Sequence, residues 1–417
     1  MTISLTPARK RTLAIAALVC AVLYAGEATR EFVASLLGSR VNLTSLKIAA
    51  MLDPGDADYR YHLGRYFDLV VRDPLTAVTY YQAATQLNPH SARFWFDLAS
   101  AYQVLGDTAK QTAALERAIQ ADAMTPDVAW EAANLYLVQG QNEKALREFS
   151  VVLANDPGLP ATAIQLCWRL DPDVDSLLHD IVPHTAEAYT AFLELLERKQ
   201  DVAGSFKVWN ALLQSRQTFP LRTAKDYLEF LVQQKAVDQA VPVWNEVAAR
   251  FALSAYLSSP DNLISNPKFD MNPLNMGFDW HYQKLTAVSL TLDPTAFHAG
   301  RRSLLIAFDG PGITDAGIYQ FVPVQPNTRY DFSAYYKNGD IDGAGGPHLT
   351  VQDMYTQAVY YESDELKDAD DWKSAGGEFT TGPDCKLLVV HVRRLPAGSP
   401  IRGKLWIDDF HLSRKPS

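Results

Sequence analysis

Cysteine is scarce in this chain: three in 417 residues, Cys20, Cys167 and Cys385, each far from the others and in no metal-type spacing. That excludes a disulfide framework and a zinc ribbon or finger. Positive charge is in deficit too. With 38 Lys and Arg against 48 Asp and Glu, the formal net charge of −10 argues against a nucleic-acid binder, which needs a basic footprint. No Gly-x-Ser-x-Gly elbow occurs, no glycine-rich phosphate loop precedes a helix, and no His-Glu-x-x-His pair is present. The acid pairs Asp364-Glu365 and Asp370-Asp371 sit in a charged loop and read as solvated. Long apolar runs are missing everywhere except near the N-terminus. What remains, 47% hydrophobic and 21% charged, is ordinary for folded protein and long enough for two or three domains.

The one apolar run follows a basic start with Arg9, Lys10 and Arg11 together. It extends over 12–26 without a charge, about fifteen residues, short of the roughly 20 of a comfortable span and near the upper end for a signal-peptide core. Continuation past Glu27 through Phe32, Val33, Leu36 and Leu37 is compatible with a longer helix. The reading adopted is an uncleaved signal anchor over 1–29 with the bulk of the chain exported, by the positive-inside rule. The alternative is a signal peptide cut near Gly26-Glu27-Ala28, leaving a secreted or periplasmic protein.

After a helical linker over 30–55, two copies of one pattern stand out, 92–123 and 126–157, with a period of about 34 residues. In the first, Trp95, Leu98, Ala99 and Tyr102 share a helix face, Gly106 closes that helix, and Leu115 and Ala118 mark a second. In the second, Ala132, Ala133 and Tyr136 precede Gly140, and Ala145 and Phe149 precede the closing Pro157. Small residues let two helices approach, and glycine takes the left-handed C-cap at no steric cost. A third copy spans 56–89, with Leu63, Gly64, Phe67, Ala77, Tyr81, Ala84 and Pro89; its turn, Val71-Arg72-Asp73-Pro74, carries one extra residue.

These residues resemble the tetratricopeptide repeat family, which implies a superhelical scaffold whose concave face binds a protein or peptide. From 158 to 257 the pattern erodes, yet Val208-Trp209-Asn210 recurs as Val243-Trp244-Asn245 after about 35 residues, so helical hairpins continue. Trp209 and Trp244 are expected to pack between hairpins.

Near Ser258 the periodicity changes from 3.6 toward 2. Alternation is clear in Tyr330-Asp331-Phe332-Ser333-Ala334-Tyr335-Tyr336 and in Leu387-Leu388-Val389-Val390-His391-Val392, and many short strands between Gly, Pro, Asn and Asp predict a β-sandwich over 258–417. The fold class is thus α then β: a helical solenoid followed by a jelly roll.

The stretch Asn262-Leu263-Ile264-Ser265-Asn266-Pro267-Lys268-Phe269-Asp270 resembles the opening strand of carbohydrate-binding modules of the galactose-binding-like superfold. His298 to Leu304, Tyr319-Gln320 with Val324 to Tyr330, Trp372 to Phe379, and Trp406-Ile407-Asp408-Asp409-Phe410-His411-Leu412 follow in that family's order. The resemblance implies a structural calcium at Asp270 with Asp408 or Asp409, which calcium's preference for oxygen would accept. Sugar recognition needs aromatic faces and planar polar groups. Candidates are Trp280, His281, Tyr335, Lys337, His348, Gln352 and Tyr355, with Tyr282, Tyr360 and Tyr361 behind them. Alternation places Tyr335 and Lys337 outward on one strand, and His348, Thr350 and Gln352 exposed on another.

The whole resembles anchored repeat proteins of the bacterial cell envelope and exopolysaccharide assembly. It implies a non-catalytic, single-pass inner-membrane scaffold with a periplasmic bulk, protein partners on the repeats, polysaccharide on the sandwich and no nucleic acid. A pure protein adaptor with a structural sandwich is the alternative. A glycoside hydrolase would need two carboxylates across a cleft and is the third reading.

Overall fold

The structure, a computed structural model, describes residues 7–40, 42–156 and 158–415; Pro157 and the first six residues lie outside these. Helix α1 (Pro7–Gly38) runs unbroken through Glu27 and Arg30, which pair at 2.7 Å. Its 32 residues make it long and apolar enough to cross a membrane, and its most apolar window is unburied.

After α2 (Leu43–Leu52) helices follow in pairs: α3 (Ala57–Arg65), α4 (Pro74–Leu87), α5 (Ala92–Val104), α6 (Thr108–Ala121), α7 (Pro126–Val138), α8 (Asn142–Asn155), α9 (Pro160–Leu170), α10 (Val174–Asp180), α11 (Ala186–Lys199), α12 (Val202–Gln214), α13 (Leu221–Gln233) and α14 (Val237–Arg250). The ends of the first helices explain the repeat. Gly106, at φ 74°, donates to Gln103 O at 3.0 Å while Asp107 N reaches Tyr102 O at 3.0 Å, a Schellman cap that satisfies two orphan carbonyls. Asp107 then accepts from Lys110 N and caps α6, so one short turn stops a helix and starts the next. Gly140 repeats the device with Leu137 O and Tyr136 O. Ala99, Ala133 and Ala145 are buried where paired helices meet. At Gly64 a Cβ would lie 2.6 Å from the Tyr81 ring, so only glycine fits there.

The extra residue of the third copy is absorbed by a π-helical turn at Tyr66–Val71, closed by Arg72 at φ 61° and by Asp73 N donating to Phe67 O at 2.8 Å. A π turn is the ordinary way for a helix to take up an insertion.

Compactness divides the chain between Leu195 and Leu196, earlier than the change of period near 258. The later unit therefore contains α12, α13 and α14 together with ten strands: β1 (Trp280–Tyr282), β2 (Val288–Asp293), β3 (Ser303–Gly310), β4 (Asp315–Pro323), β5 (Arg329–Asp342), β6 (Gly346–Asp353), β7 (Val359–Glu362), β8 (Lys373–Thr380), β9 (Leu387–Leu395) and β10 (Ile401–Arg414). One five-stranded sheet has the order β1-β4-β9-β6-β7 and the other β2-β3-β10-β5-β8, and every pairing is antiparallel. The core between them is built from Phe269, Ile306, Phe332, Leu349, Val390, Leu405 and Phe410 among others.

Two expectations change here. Residues 262–270 form no strand: Asn266 and Phe269 take φ 45° and 50°, and Pro267 has no amide to give a ladder. The segment is tied down instead by Leu263 N to Leu412 O at 2.8 Å and Asn262 Nδ2 to Phe410 O at 2.9 Å. Trp209 does pack between hairpins, stacked on Tyr227 at 5.0 Å. Trp244 instead faces the sandwich, 6.5 Å from the Phe278 ring, where a Cβ at Gly277 would come within 2.5 Å of the indole.

Candidate functional site

The outer face of the β1-β4-β9-β6-β7 sheet carries a groove of about 690 Å³, floored by Tyr319, Phe321, Val389, His391 and Gln352 and walled by the loops 283–287 and 311–315. Its geometry begins at a bulge. Between Asp315 and Tyr319 strand β4 slips against β9, and Gly317 turns through φ 77°, a conformation open to glycine and strained for other residues. Asp315 accepts from Gly317 N at 2.7 Å and, through its other oxygen, from His391 Nδ1 at 2.7 Å. With Nδ1–H given to the carboxylate, His391 presents Nε2 as an acceptor.

That nitrogen has no partner in the protein, and neither does Thr350 Oγ1. Both residues are nine-tenths or more buried and stand directly opposite each other across β6 and β9. Both atoms are left unpaired on neighbouring strands, each at a cost of about 1–3 kcal/mol, and of the two residues His391 lines the groove. Beside them lies an aromatic strip. His281 stacks on Tyr319 (5.1 Å, 11°), and Tyr319 meets Phe321 at 5.2 Å. Burial holds the His281 imidazole below its ordinary pKa, hence neutral. Burial, with help from Glu229 and Asp315, pushes the Tyr319 phenol up, so its hydroxyl stays protonated.

A smaller cavity of about 240 Å³ adjoins, lined by Leu228, Glu229, Val232 and Gln233 of α13, by Gly277, Phe278 and His281, and by the same Tyr319, Phe321 and Met354. Asp315 is the single carboxylate lining the larger groove, and its two oxygens are engaged.

The residues expected from sequence fall in several places. Gln352 and His281 reach the groove region, Gln352 held by Gln357 at 2.7 Å and His281 by Gly277 O at 2.9 Å. His348 shares their sheet and binds Ser363 O at 2.6 Å. Thr350 and Gln352 alternate with the core residues Leu349 and Val351 but are buried rather than exposed, and of the two only Gln352 lines the groove. Tyr355 lies beyond the groove, its hydroxyl donating to Val232 O of α13 at 2.9 Å with Lys235 over its ring. Trp280 is corrected outright: it is 1% exposed, wedged against Phe269 and Phe410 with its indole N–H on Asn266 O, and cannot meet a ligand.

Tyr335 and Lys337 face outward on the opposite sheet. There His298 stacks on Tyr335 at 3.6 Å and is held by Asp409 at 3.1 Å, so one face of the phenol ring is taken. Lys337 stands opposite Trp406, whose indole donates to Asp293 at 2.8 Å.

The donor set near Asp270, Asp408 and Asp409 does not suit calcium. Asp408 already accepts from the amides of His298, Ala299 and Asp409. Asp270 accepts from Arg301 N. The Arg302 guanidinium binds Phe269 O at 2.6 Å, Asp270 O at 3.0 Å and Asn272 Oδ1 at 3.0 Å, so the carbonyls a cation would use already have one. Among the described residues no group of three or more His, Cys, Asp or Glu is placed to hold a metal.

In the earlier unit, a polar row crosses the first helices of successive hairpins. Tyr61 on α3 donates to Asp97 on α5 at 2.6 Å, and Arg93 lies 5.3 Å over the Tyr61 ring. Burial and the bond to Asp97 push the Tyr61 phenol up to about 12. A groove of about 610 Å³ follows beside it, lined by His90, Arg93, Phe96, Asp97, Asp122 and Asp127.

No protein-family model matches the sequence, and no curated protein does. Solved structures with a similar fold in part include a CBM4 module, 15% identical, covering 36% of this chain and 99% of its own at a TM-score of 0.28. The MamA protein is 18% identical over 42% of this chain and 95% of its own, at 0.31. The first TPR of Spaghetti (RPAP3), solved with an HSP90 peptide, is 17% identical over 28% of this chain and 94% of its own, at 0.25. The pairing and topology above make the chain a run of helical repeats followed by a β-sandwich of two five-stranded antiparallel sheets.

Proposed function

We propose that this is a non-catalytic binding protein of the bacterial cell envelope, anchored by α1, holding a glycan in the groove on the β1-β4-β9-β6-β7 sheet and a protein partner on its helical repeats. Export of the bulk follows from the basic residues before the apolar stretch of α1, and a role in exopolysaccharide assembly or export fits an anchored protein that grips both. The observation that carries the glycan reading is the orphaned His391 Nε2, on a residue that lines the groove beside the Tyr319 and Phe321 rings. A sugar hydroxyl would supply the missing partner of His391 Nε2 while the apolar face of a pyranose covers the aromatic strip.

Binding without turnover follows from the chemistry of the lining. A glycosidase needs two carboxylates working as an acid and a base or nucleophile; of the two lining the groove and its adjoining cavity, Asp315 has both oxygens engaged and Glu229 pairs with Lys225 at 3.7 Å. Arg93 and Asp97, which line the groove beside Tyr61, offer a donor and an acceptor to a partner segment with polar side chains.

The test is a glycan array probed with the full chain in detergent, with bound sugars recovered for sizing. The reading expects binding that weakens about tenfold in His391→Ala and sugars recovered intact. Shortened sugars would overturn the non-catalytic part. Silence from folded protein would overturn the glycan part and leave the adaptor reading.

A further inference from the structure

We propose that the groove takes the end of a neutral glycan chain and not its middle, because helix α13 closes one end of it. This rests on the glycan reading above and adds both the mode and the class of sugar.

The floor of the groove does not stop at Phe321. Tyr319, Phe321 and Met354 are shared with the smaller cavity, whose roof is Leu228, Glu229, Val232 and Gln233 of α13. A chain lying along the aromatic strip therefore runs under the helix and ends there. The helix is not a loosely placed flap. Tyr355 Oη donates to Val232 O of α13 at 2.9 Å, and α14, the other helix of its hairpin, is tied by the Lys386–Asp238 pair at 2.5 Å and by Trp244 in the space over Gly277 that a side chain would fill. The last helical hairpin thus serves as an end wall of the binding face, which explains why compactness groups it with the sandwich.

Charge selects the class. Asp315 lines the larger cavity and Glu229 the smaller, and among the described residues neither cavity is lined by Lys or Arg. A uronate or sulfated sugar would meet two carboxylates and no cation in the lining, the nearest, Lys225, being already paired with Glu229 at 3.7 Å, whereas neutral hydroxyls suit the Gln, Thr, His and Tyr groups present.

The experiment is titration calorimetry of the full chain in detergent against size-fractionated linear neutral glycans (xylan, β-glucan and mannan fragments) and against oligogalacturonate and alginate fragments. The proposal expects one protein bound per neutral chain however long the chain, with uronate fragments weaker by about tenfold or more. Gln233, exposed on α13, provides the variant: Gln233→Trp fills the smaller cavity without touching the core and should weaken neutral chains about tenfold. Several proteins on one long chain, with Gln233→Trp binding like the wild type, would overturn the end-on mode and leave the glycan reading standing. Uronate fragments binding as well as neutral ones would overturn the assigned class. No binding of any fragment by the wild type would overturn the glycan reading itself.

Discussion

Replacing Arg302 by methionine keeps the aliphatic stem and removes the guanidinium that this sandwich uses where a cation would otherwise sit. Three acceptors lose their donor: Phe269 O, Asp270 O and Asn272 Oδ1. Bonds from a charged donor contribute roughly 1.5–3 kcal/mol each, but they share one side chain that is partly open to water, so the combined loss is about 3 kcal/mol. The assay is urea unfolding followed by tryptophan fluorescence, since Trp280 packs on Phe269 at 4.9 Å between ring centroids. The same unfolding is run for the wild type in EDTA and in excess calcium. A bound calcium at about a hundred times its dissociation constant would add about 2.7 kcal/mol. The geometry predicts coincident wild-type curves and an earlier midpoint for Arg302→Met. A wild type stabilised by calcium, or an Arg302→Met chain as stable as its parent, would show that the guanidinium does not take the cation's place.

Three further outcomes are expected. Asp279, buried beside Ser265, has its carboxyl pushed up to about 6 by burial, against partial relief from the Leu274 and Trp280 amides. Its folded value lies above the unfolded one, so its contribution to stability is full below the ordinary carboxylate range and is lost as pH rises through about 6, about 3 kcal/mol in all. The wild type should therefore lose stability relative to Asp279→Asn between pH 4 and pH 7, read as the difference between their urea midpoints; a constant difference would contradict the assignment. Gln200 holds φ 58° in a Schellman cap, with its amide on Glu197 O and Asp201 N on Leu196 O, so Gln200→Gly should stabilise by about 1 kcal/mol, visible as a higher melting temperature. Gly64→Val drives a side chain into the Tyr81 ring and should cost about 1–3 kcal/mol, measured by thermal unfolding; an unchanged midpoint would mean the pair of helices opens more easily than their packing implies.

How much of this was legible in sequence depended on whether a residue's type matched its job. Gly106 and Gly140 are ideal for the left-handed position they occupy, so the repeats could be read in register. Gln200 and Lys235 occupy the same position in later hairpins, at φ 58° and 61° with the same pair of cap bonds, and there the pattern looked eroded although the geometry persists. The groove was hidden for a related reason. In Tyr319-Gln320-Phe321 the polar residue points into the core, because the Gln320 amide closes on both Ser265 N and Ser265 O at 2.9 Å, and the aromatics point out. Polarity alone assigns that strand backwards. The bond from Tyr355 to α13 and the position of Trp244 depend on contacts between segments distant in the chain, which no local period reveals. His391 could have been noticed as the one polar residue in an apolar run, but its partner Asp315 is 76 residues away.

A glycan on the β1-β4-β9-β6-β7 sheet and one on the opposite sheet would depend on different tyrosines, Tyr319 and Tyr335. The most direct measurement is the affinity of the full chain, as wild type, Tyr319→Ala and Tyr335→Ala, for the neutral glycan it binds best. The prediction is a loss of about tenfold or more for Tyr319→Ala with Tyr335→Ala unchanged. Loss in Tyr335→Ala with Tyr319→Ala unchanged would place the sugar on the other sheet and contradict the account.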